Sequence, residues 1–490
     1  VSLSTAYDAA RLGLAAASDQ LAVTSRNVAN VNIPLDSRKV AQLVSAAPGV
    51  RVAAVLRSAS ESLLARVLSA TSEQSGADAV VSAAKQLQAT AGDPGSDSSL
   101  SALVSKLGSA LQSYAAAPQN YAQASNVVAV AGTVATSLND ASRAVEQVRR
   151  DADSSMAASV DRINSILKQF GDLNAKIVIG TQNGADVTDE QDARDKLVSD
   201  LSSEIGVTTL MRANGDMALY TDSGVTLFDK TARPVTMMPT PSLTAGASGG
   251  NVYADGTAIT GTQSLLSTRI GRLAGLAYVR DTLSVTYQNQ LDELARGLIN
   301  ATSETDQSAT PTQPPATGLF TYDGGPALPP STLQPGLASR IRIASAVDPT
   351  KGGDSTLIRD GGVSSAGGAP YSYNPTRAQS FTSRLQSLVD SLTANAAIDP
   401  AAQLGASASL QALTGQSAGW IAGQLKSANE SLTSRTALKQ SATTALTNAV
   451  GGDLDSELAT MLTLERAYQA SAKLMGTLDE VYKSLFNSIQ

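Results

Sequence analysis

Two heptad seams, one toward each end of a 490-residue chain, constrain this sequence more than any other feature. Met461, Leu464, Tyr468, Ser471, Met475, Leu478, Tyr482, Leu485 and Ile489 recur at alternating steps of three and four, with Ser471 the only polar member. Leu3, Tyr7, Ala10, Leu14, Ala17, Leu21, Thr24, Val28 and Val31 do the same near the start, with Thr24 the polar exception. That spacing gives a helix one apolar stripe and requires a partner helix to cover it. Gly451-Gly452 breaks the element before the second seam, and Asp453 is placed to cap the closing helix. Asp455 and Glu457 then set negative charge at the positive end of its dipole. Matched seams predict that the chain ends pair; two surface helices packed separately on a globular core is the plainer alternative.

Composition removes whole classes of chemistry. The chain has no histidine and no cysteine, so a His general base, a Cys nucleophile, a Cys/His metal site and a disulfide are all excluded. A net charge of −7 argues against gripping nucleic acid through a basic surface. No apolar run reaches the 18 residues of a membrane span, and the first residues lack the basic and apolar regions of a cleaved secretion signal.

In chain order, Asn27 to Pro34 carries three Asn residues (Asn27, Asn30 and Asn32) and a Pro, and stops the first helix. Residues 39–44 and 50–55 suggest short strands. Ser58–Glu61 fits a capping box that opens a helix to Ala91, Gly92–Gly95 turns the chain, and a helix follows over 99–116. Tyr121 to Ile179 holds no proline and reads as one rod of roughly 90 Å. Thr188 with Gln191 suggests a capped helix over 189–204. Val207–Met211, Met217–Tyr220 and Val225–Phe228, separated by Asn214-Gly215 and Ser223-Gly224, predict a β-meander, with a further hairpin at 252–256. Helix is expected again over 265–304, from Arg377 to about 395, and over 400–449. Residues 305–375, rich in Pro, Gly, Ser and Thr, read as an irregular or β-rich insertion.

The expected fold is mainly α with a smaller β portion: an elongated, sequence-discontinuous helical stem with β-rich insertions at its outer side. Three units follow: a terminal coiled coil from 1–34 with 452–490, a long-helix bundle from 35–304 with 376–451 that carries the small meander at about 205–262, and the outer insertion 305–375.

Candidate chemistry is thin. Gly246-Ala247-Ser248-Gly249-Gly250 matches G-x-S-x-G, but without histidine it reads as a flexible loop. Asp189, Glu190, Asp192 and Asp195, beside Arg194 and Lys196, spread around a helix and read as a solvated ion-paired face rather than a metal site. Gly415, Gly419 and Gly423 share one helical face, which suits either close helix approach or a weak helix. No catalytic, cofactor-binding or metal-binding residue is expected. The residues expected to act are an assembly interface: Leu3, Tyr7, Leu14, Leu21, Val28, Val31, Met461, Leu464, Tyr468, Met475, Leu478, Tyr482, Leu485 and Ile489. One partner helix returns less on burial than the ordering of so long a segment costs, so both termini are expected to be largely disordered until neighbouring subunits cover several faces.

Asn27-Val28-Ala29-Asn30-Val31-Asn32-Ile33-Pro34 resembles the turn that follows the first helix of bacterial flagellar rod, hook and hook-associated proteins. Leu464–Lys473 with Asp479-Glu480 resembles their closing helix. Ser159–Asn164, Leu173–Ile177, Asp192–Val198 with Ile205-Gly206-Val207, and Gly271–Leu276 with Arg280-Asp281 are similar to the hook-associated protein 1 branch of that family. One departure stands out: after Pro34 the family continues Gly-Tyr/Phe-Ser-Arg, whereas this chain reads Leu35-Asp36-Ser37-Arg38. The resemblance implies a structural subunit at the hook–filament junction, outside the cell, exported by the flagellar secretion system without a cleaved signal. The partners it implies are other copies of the chain, the hook protein, the second junction protein and a cytoplasmic export chaperone at the C-terminal helix. No nucleic acid or membrane partner is implied. Another axial protein of the same family, or an extracellular adhesin on a coiled-coil stem, are the alternatives.

Overall fold

Helical periodicity at both ends becomes two long helices, and the breakers between them become turns. The computed structural model describes residues 3–92, 96–261, 263–365 and 368–489, with the side chain of Ile489 outside that set. The helix α1 (Leu3–Asn30) stops within the Asn-rich stretch. A hairpin follows, β1 (Lys39–Ala46) against β2 (Gly49–Arg57), with Lys39 opposite Arg57 and Ala46 opposite Gly49. In α2 (Glu61–Ala91) the N-cap is Ser60, but its side chain makes no capping hydrogen bond, so the expected capping box is absent. The Ser58 amide instead donates to the Arg38 carbonyl at 2.8 Å, closing the base of the hairpin. Of the turn expected at 92–95, residues 93–95 lie outside the described set.

Ser99 caps α3 (Leu100–Ala116) and Asn120 caps α4 (Tyr121–Gln182), each by accepting backbone amides of the first turn. The 62 residues of α4 make a rod about 93 Å long. The helix α5 (Thr188–Glu204) is capped differently from expectation: the Asp186 carboxylate accepts the Thr188 amide at 3.1 Å and its hydroxyl at 2.7 Å. The meander is present as β3 (Val207–Met211), β4 (Met217–Thr221), β5 (Thr226–Asp229) and β6 (Thr231–Ala232), antiparallel in sequence order. Asn214, Gly215 and Gly224 turn it with φ of 58°, 74° and 89°. A second small sheet holds β7 (Val235–Met237), β8 (Val252–Ala254) and β9 (Thr257–Ala258).

Helix resumes at 272, not 265: α6 (Arg272–Tyr278) runs through a π-helical turn at Val279–Leu283 into α7 (Ser284–Ala301). Residues 305–375 are mostly irregular; among the described residues they hold β10 (Phe320–Thr321), α8 (Leu337–Arg340), β11 (Arg342–Ile343) and α9 (Leu357–Asp360) besides short 3-10 turns. Buried carboxylates supply the acceptors that a sheet would otherwise provide. Asp292 takes the amides of Gly336 and Ala338, each at 2.8 Å, and Glu304 those of Val363 and Ser364, each at 3.1 Å. Phe320, Leu337, Ile341, Val347 and Ile358 are buried in the same core as α4 and α7. The helix expected from 377 begins at 383 as α10 (Ser383–Thr393), and a short hairpin, β12 (Ala396–Ala397) with β13 (Ser407–Ala408), interrupts the next expected helix. The chain closes with α11 (Leu410–Val450) and α12 (Leu454–Ile489).

The whole is mainly α with small separate sheets, as the periodicity implied. α11 runs antiparallel beside α2, where Arg435 pairs with Glu73, and Val67 packs with Leu446 and Val450. Close helix approach is real but lies elsewhere than expected. A Cβ added at Gly415, Gly419 or Gly423 would meet nothing within 4 Å. One added at Gly275 would sit 2.4 Å from the Gly76 carbonyl oxygen, and one at Gly76 would sit 2.8 Å from that of Gly271. The G-x-S-x-G stretch is pinned rather than loose: Arg149 donates to the Thr244 and Ala247 carbonyls at 2.9 and 2.6 Å, and Arg280 to the Gly250 carbonyl at 2.9 Å.

Candidate functional site

The chain ends form an arm. α1 and α12 lie antiparallel: the rings of Tyr7 and Tyr482 meet edge to face with centroids 6.2 Å apart, Gly13 leaves room for Ser471, and Asn27 reaches Glu457 at the far end. On α1 the seam row Ala10, Ala17 and Thr24 is buried, while Leu3, Tyr7, Leu14, Leu21, Val28 and Val31 are half-buried. The hairpin covers another side of α1, with Gly49 against Leu12. On α12, Met461, Leu464, Met475, Leu478 and Tyr482 are half-buried on the seam, whereas Tyr468 and Leu485 remain exposed.

A 36-residue helix therefore covers little of itself within its own chain. Among its described residues only Glu457 is buried. With Met461 at heptad position a, Leu458 and Phe486 fall on e, and Leu474 and Val481 on g, the positions that flank a two-helix seam on either side. All four are exposed, Phe486 by 71%. The seam is thus wider than one partner helix covers.

At the base of the arm Asp453 caps α12 by accepting the Ser456 amide at 2.8 Å. Glu457, expected only to favour the helix dipole, is buried and accepts Arg38 Nε at 2.5 Å and Asn27 Nδ2 at 3.1 Å. Asn27 also brackets the Lys39 backbone, donating to its carbonyl and accepting its amide, both at 2.9 Å. Leu35, where the family pattern has Gly, holds φ of 65° and packs on the Val67, Leu446 and Val450 cluster. Its backbone is left-handed and its side chain makes an apolar contact.

The acid row of α5 is not the solvated face expected. Asp192 and Asp195 are buried, and their partners come from the arm rather than from Arg194 and Lys196. Lys39 Nζ lies 2.8 Å from Asp189 and 3.0 Å from Asp192; Arg57 lies 3.0 Å from Asp192 and 2.6 Å from Asp195. Arg26 reaches Asp186 at 2.9 Å and Asp189 at 3.3 Å, and Lys196 reaches back to Asp36 at 3.1 Å. Arg194 is fully buried and donates instead to Asn174 and the Gly215 carbonyl. Burial alone would lower the Lys39 ammonium, but its hydrogen bonds to Asp189 and Asp192 outweigh that and hold it above its ordinary range. The bond from Lys39 in turn holds Asp189 below the usual carboxylate range. Burial pushes Asp195 upward against the pull of Arg57. Partners 135 to 163 residues apart leave no local signal in the sequence for this network. Among the described residues no group of acidic side chains is arranged to hold a metal ion, and no helix is long and apolar enough to cross a membrane.

Comparison with known proteins shows what parts of the chain are similar to. The model for the flagellar hook-associated protein FlgK helical domain matches residues 84–315, and that for the flagellar basal body rod FlgEFG protein C-terminal matches 453–488. Over these residues the chain is similar to flagellar hook-associated proteins. Flagellar hook-associated protein 1 of Escherichia coli (strain K12) is 30% identical over 220 residues, covering 42% of this chain and 39% of that protein. Its counterpart in Salmonella typhimurium is 32% identical over 171 residues, covering 32% and 30%. The match thus spans about two-fifths or less of the length of these hook-associated proteins. The flagellar hook junction protein FlgK from Burkholderia pseudomallei superimposes with a TM-score of 0.44 at 22% identity, over 53% of this chain and 46% of that one.

Proposed function

We propose that this chain is a structural subunit of the bacterial flagellum at the junction between hook and filament, assembling through its terminal helices. The observation that carries the reading is the arm: a long paired helix with apolar residues on its a, d, e and g positions and one buried residue of its own, attached to a domain of the hook-associated family. Such a surface is stable when copies of the same arm surround it. The side chains proposed to meet other copies are those of the two seams, from Leu3 to Val31 and from Met461 to Ile489. The arm would pack at the inside of the assembly, with the bundle and residues 305–375 facing outward.

In this role the protein is not an enzyme. Its neighbours would be the hook protein on one side and the second junction protein on the other, and a cytoplasmic chaperone would shield the C-terminal helix before export to the cell exterior. Deleting the gene tests the reading. Cells should build hooks without attached filaments and lose flagellin to the medium; normal filaments on deleted cells would refute it.

A further inference from the structure

The arm is joined to the rest of the chain at two covalent crossings, residues 58–60 between β2 and α2, and 451–453 between α11 and α12. The second contains Gly451-Gly452. Beyond these, the polar contacts that hold the arm down come chiefly from α5 and its leading turn. Asp186, Asp189, Asp192 and Asp195 together take Arg26 from α1, Lys39 from β1 and Arg57 from β2. Asp192 also accepts the Ser37 hydroxyl at 2.8 Å. Apolar contact across the joint is slight by comparison, being Leu35 on Val67, Leu446 and Val450. A cavity of about 90 Å³ lies there, lined by Leu35, Arg57, Asp195, Met217 and Leu446 among others, and Asp195 Oδ1 is buried without a hydrogen-bond partner. A joint closed by charge pairs beside a void has direction but little glue.

We propose that the four aspartates are a latch: they hold the arm at one angle to the bundle, and releasing them lets it pivot about 58–60 and Gly451-Gly452. The angle decides where the exposed e and g side chains of α12 point. The latch is a property of the single chain and does not depend on the junction reading. Ion pairs of this kind fix geometry and weaken as salt screens their more exposed members, whereas an apolar joint would not.

The chain has no cysteine, so paired spin labels can be placed cleanly on the full-length protein. Ser45→Cys on the hairpin with Ala175→Cys on α4 reports the arm angle by electron–electron distance measurement. At low salt the parent should give a single narrow distance. The double variant Asp189→Asn/Asp192→Asn should lose that peak and spread, and the parent at about 1 M salt should move the same way. A second pair, Ala175→Cys with Ser434→Cys, reads the bundle alone and should not change. A double variant with the parental distance and width would overturn the latch, and so would one in which the bundle pair spreads as well.

Discussion

Asn27 and Glu457 are 430 residues apart in sequence and 3.1 Å apart in the fold, both buried. Between them they tie α1, the hairpin and α12 into one unit, since Glu457 also holds Arg38 and Asn27 also holds the Lys39 backbone. The seams bring the helices side by side; this contact sets their register.

Replacing Glu457 with Ala leaves a buried amide and a guanidinium without their acceptor, a loss of about 1–3 kcal/mol. Glu457→Gln, which keeps one acceptor oxygen, should lose less. Amide hydrogen exchange should speed up at 27–46 and 453–465 in Glu457→Ala while α4 stays protected. Equal protection throughout in both variants would mean the contact does not fasten the arm.

Leu35 balances two opposed effects. A left-handed backbone costs a β-carbon residue roughly 1–2 kcal/mol, and Gly avoids that cost. The Leu side chain, half-buried on Val67, Leu446 and Val450, returns a similar amount. Leu35→Gly should therefore change stability by less than about 1 kcal/mol. Leu35→Val, β-branched in a left-handed position, should be clearly worse. Urea unfolding of the three proteins checks the order.

Gly275→Ala should be damaging although it adds a single methyl. Its Cβ meets the Gly76 carbonyl oxygen at 2.4 Å, and that atom belongs to the backbone of α2, which cannot step aside as a side chain would. A loss of about 1–3 kcal/mol or more is expected on chemical unfolding. Gly419→Ala, facing open space, should be neutral or gain up to about 1 kcal/mol from helix propensity.

These two glycine sets show what was legible in the sequence. Periodicity along one segment exposed α1, α12 and the 62-residue α4, and Asn214-Gly215 and Ser223-Gly224 marked the meander turns, because each signal is local. Gly415, Gly419 and Gly423 suited either a packing face or a weak helix for the same reason, and a Cβ on any of them would meet nothing. Gly76 and Gly275 meet from segments about two hundred residues apart, and the α5 aspartates find Arg26, Lys39 and Arg57 across a similar span. Nothing within a window of neighbours encodes such pairings. The departure at Leu35 was visible, but its left-handed backbone was not.

Asp292 makes stability depend on pH. Burial is the largest influence on its carboxyl and pushes it up to about 6, against the hydrogen bonds it accepts from Ala338, Gly336 and Gln288. The folded chain then holds this proton more tightly than the unfolded chain does, where the value is near 3.9. Its contribution is complete below about pH 4 and is lost as pH rises through about 6, amounting to about 2–3 kcal/mol. Asp292→Asn should remove that slope. Unfolding free energies measured from pH 4 to 7 should run closer together at the acid and neutral ends in the variant; parallel curves for the two proteins would rule the assignment out.

Leu485 and Met475 separate folding of the arm from its assembly. Met475 is half-buried on the seam with α1, so Met475→Glu should disturb the arm in the single chain as well as any contact between copies. Leu485 is 51% exposed in the single chain, and a charge there costs the isolated protein almost nothing. Between copies the same charge would be forced into an apolar interface with no partner, which is strongly unfavourable. Leu485→Glu should therefore keep the parental circular dichroism and unfolding curve while abolishing filament attachment in cells that carry it as their only copy. Working filaments built with Leu485→Glu would mean that this part of α12 stays uncovered in the assembly, and the interface would then have to lie on the remaining seam and flank positions.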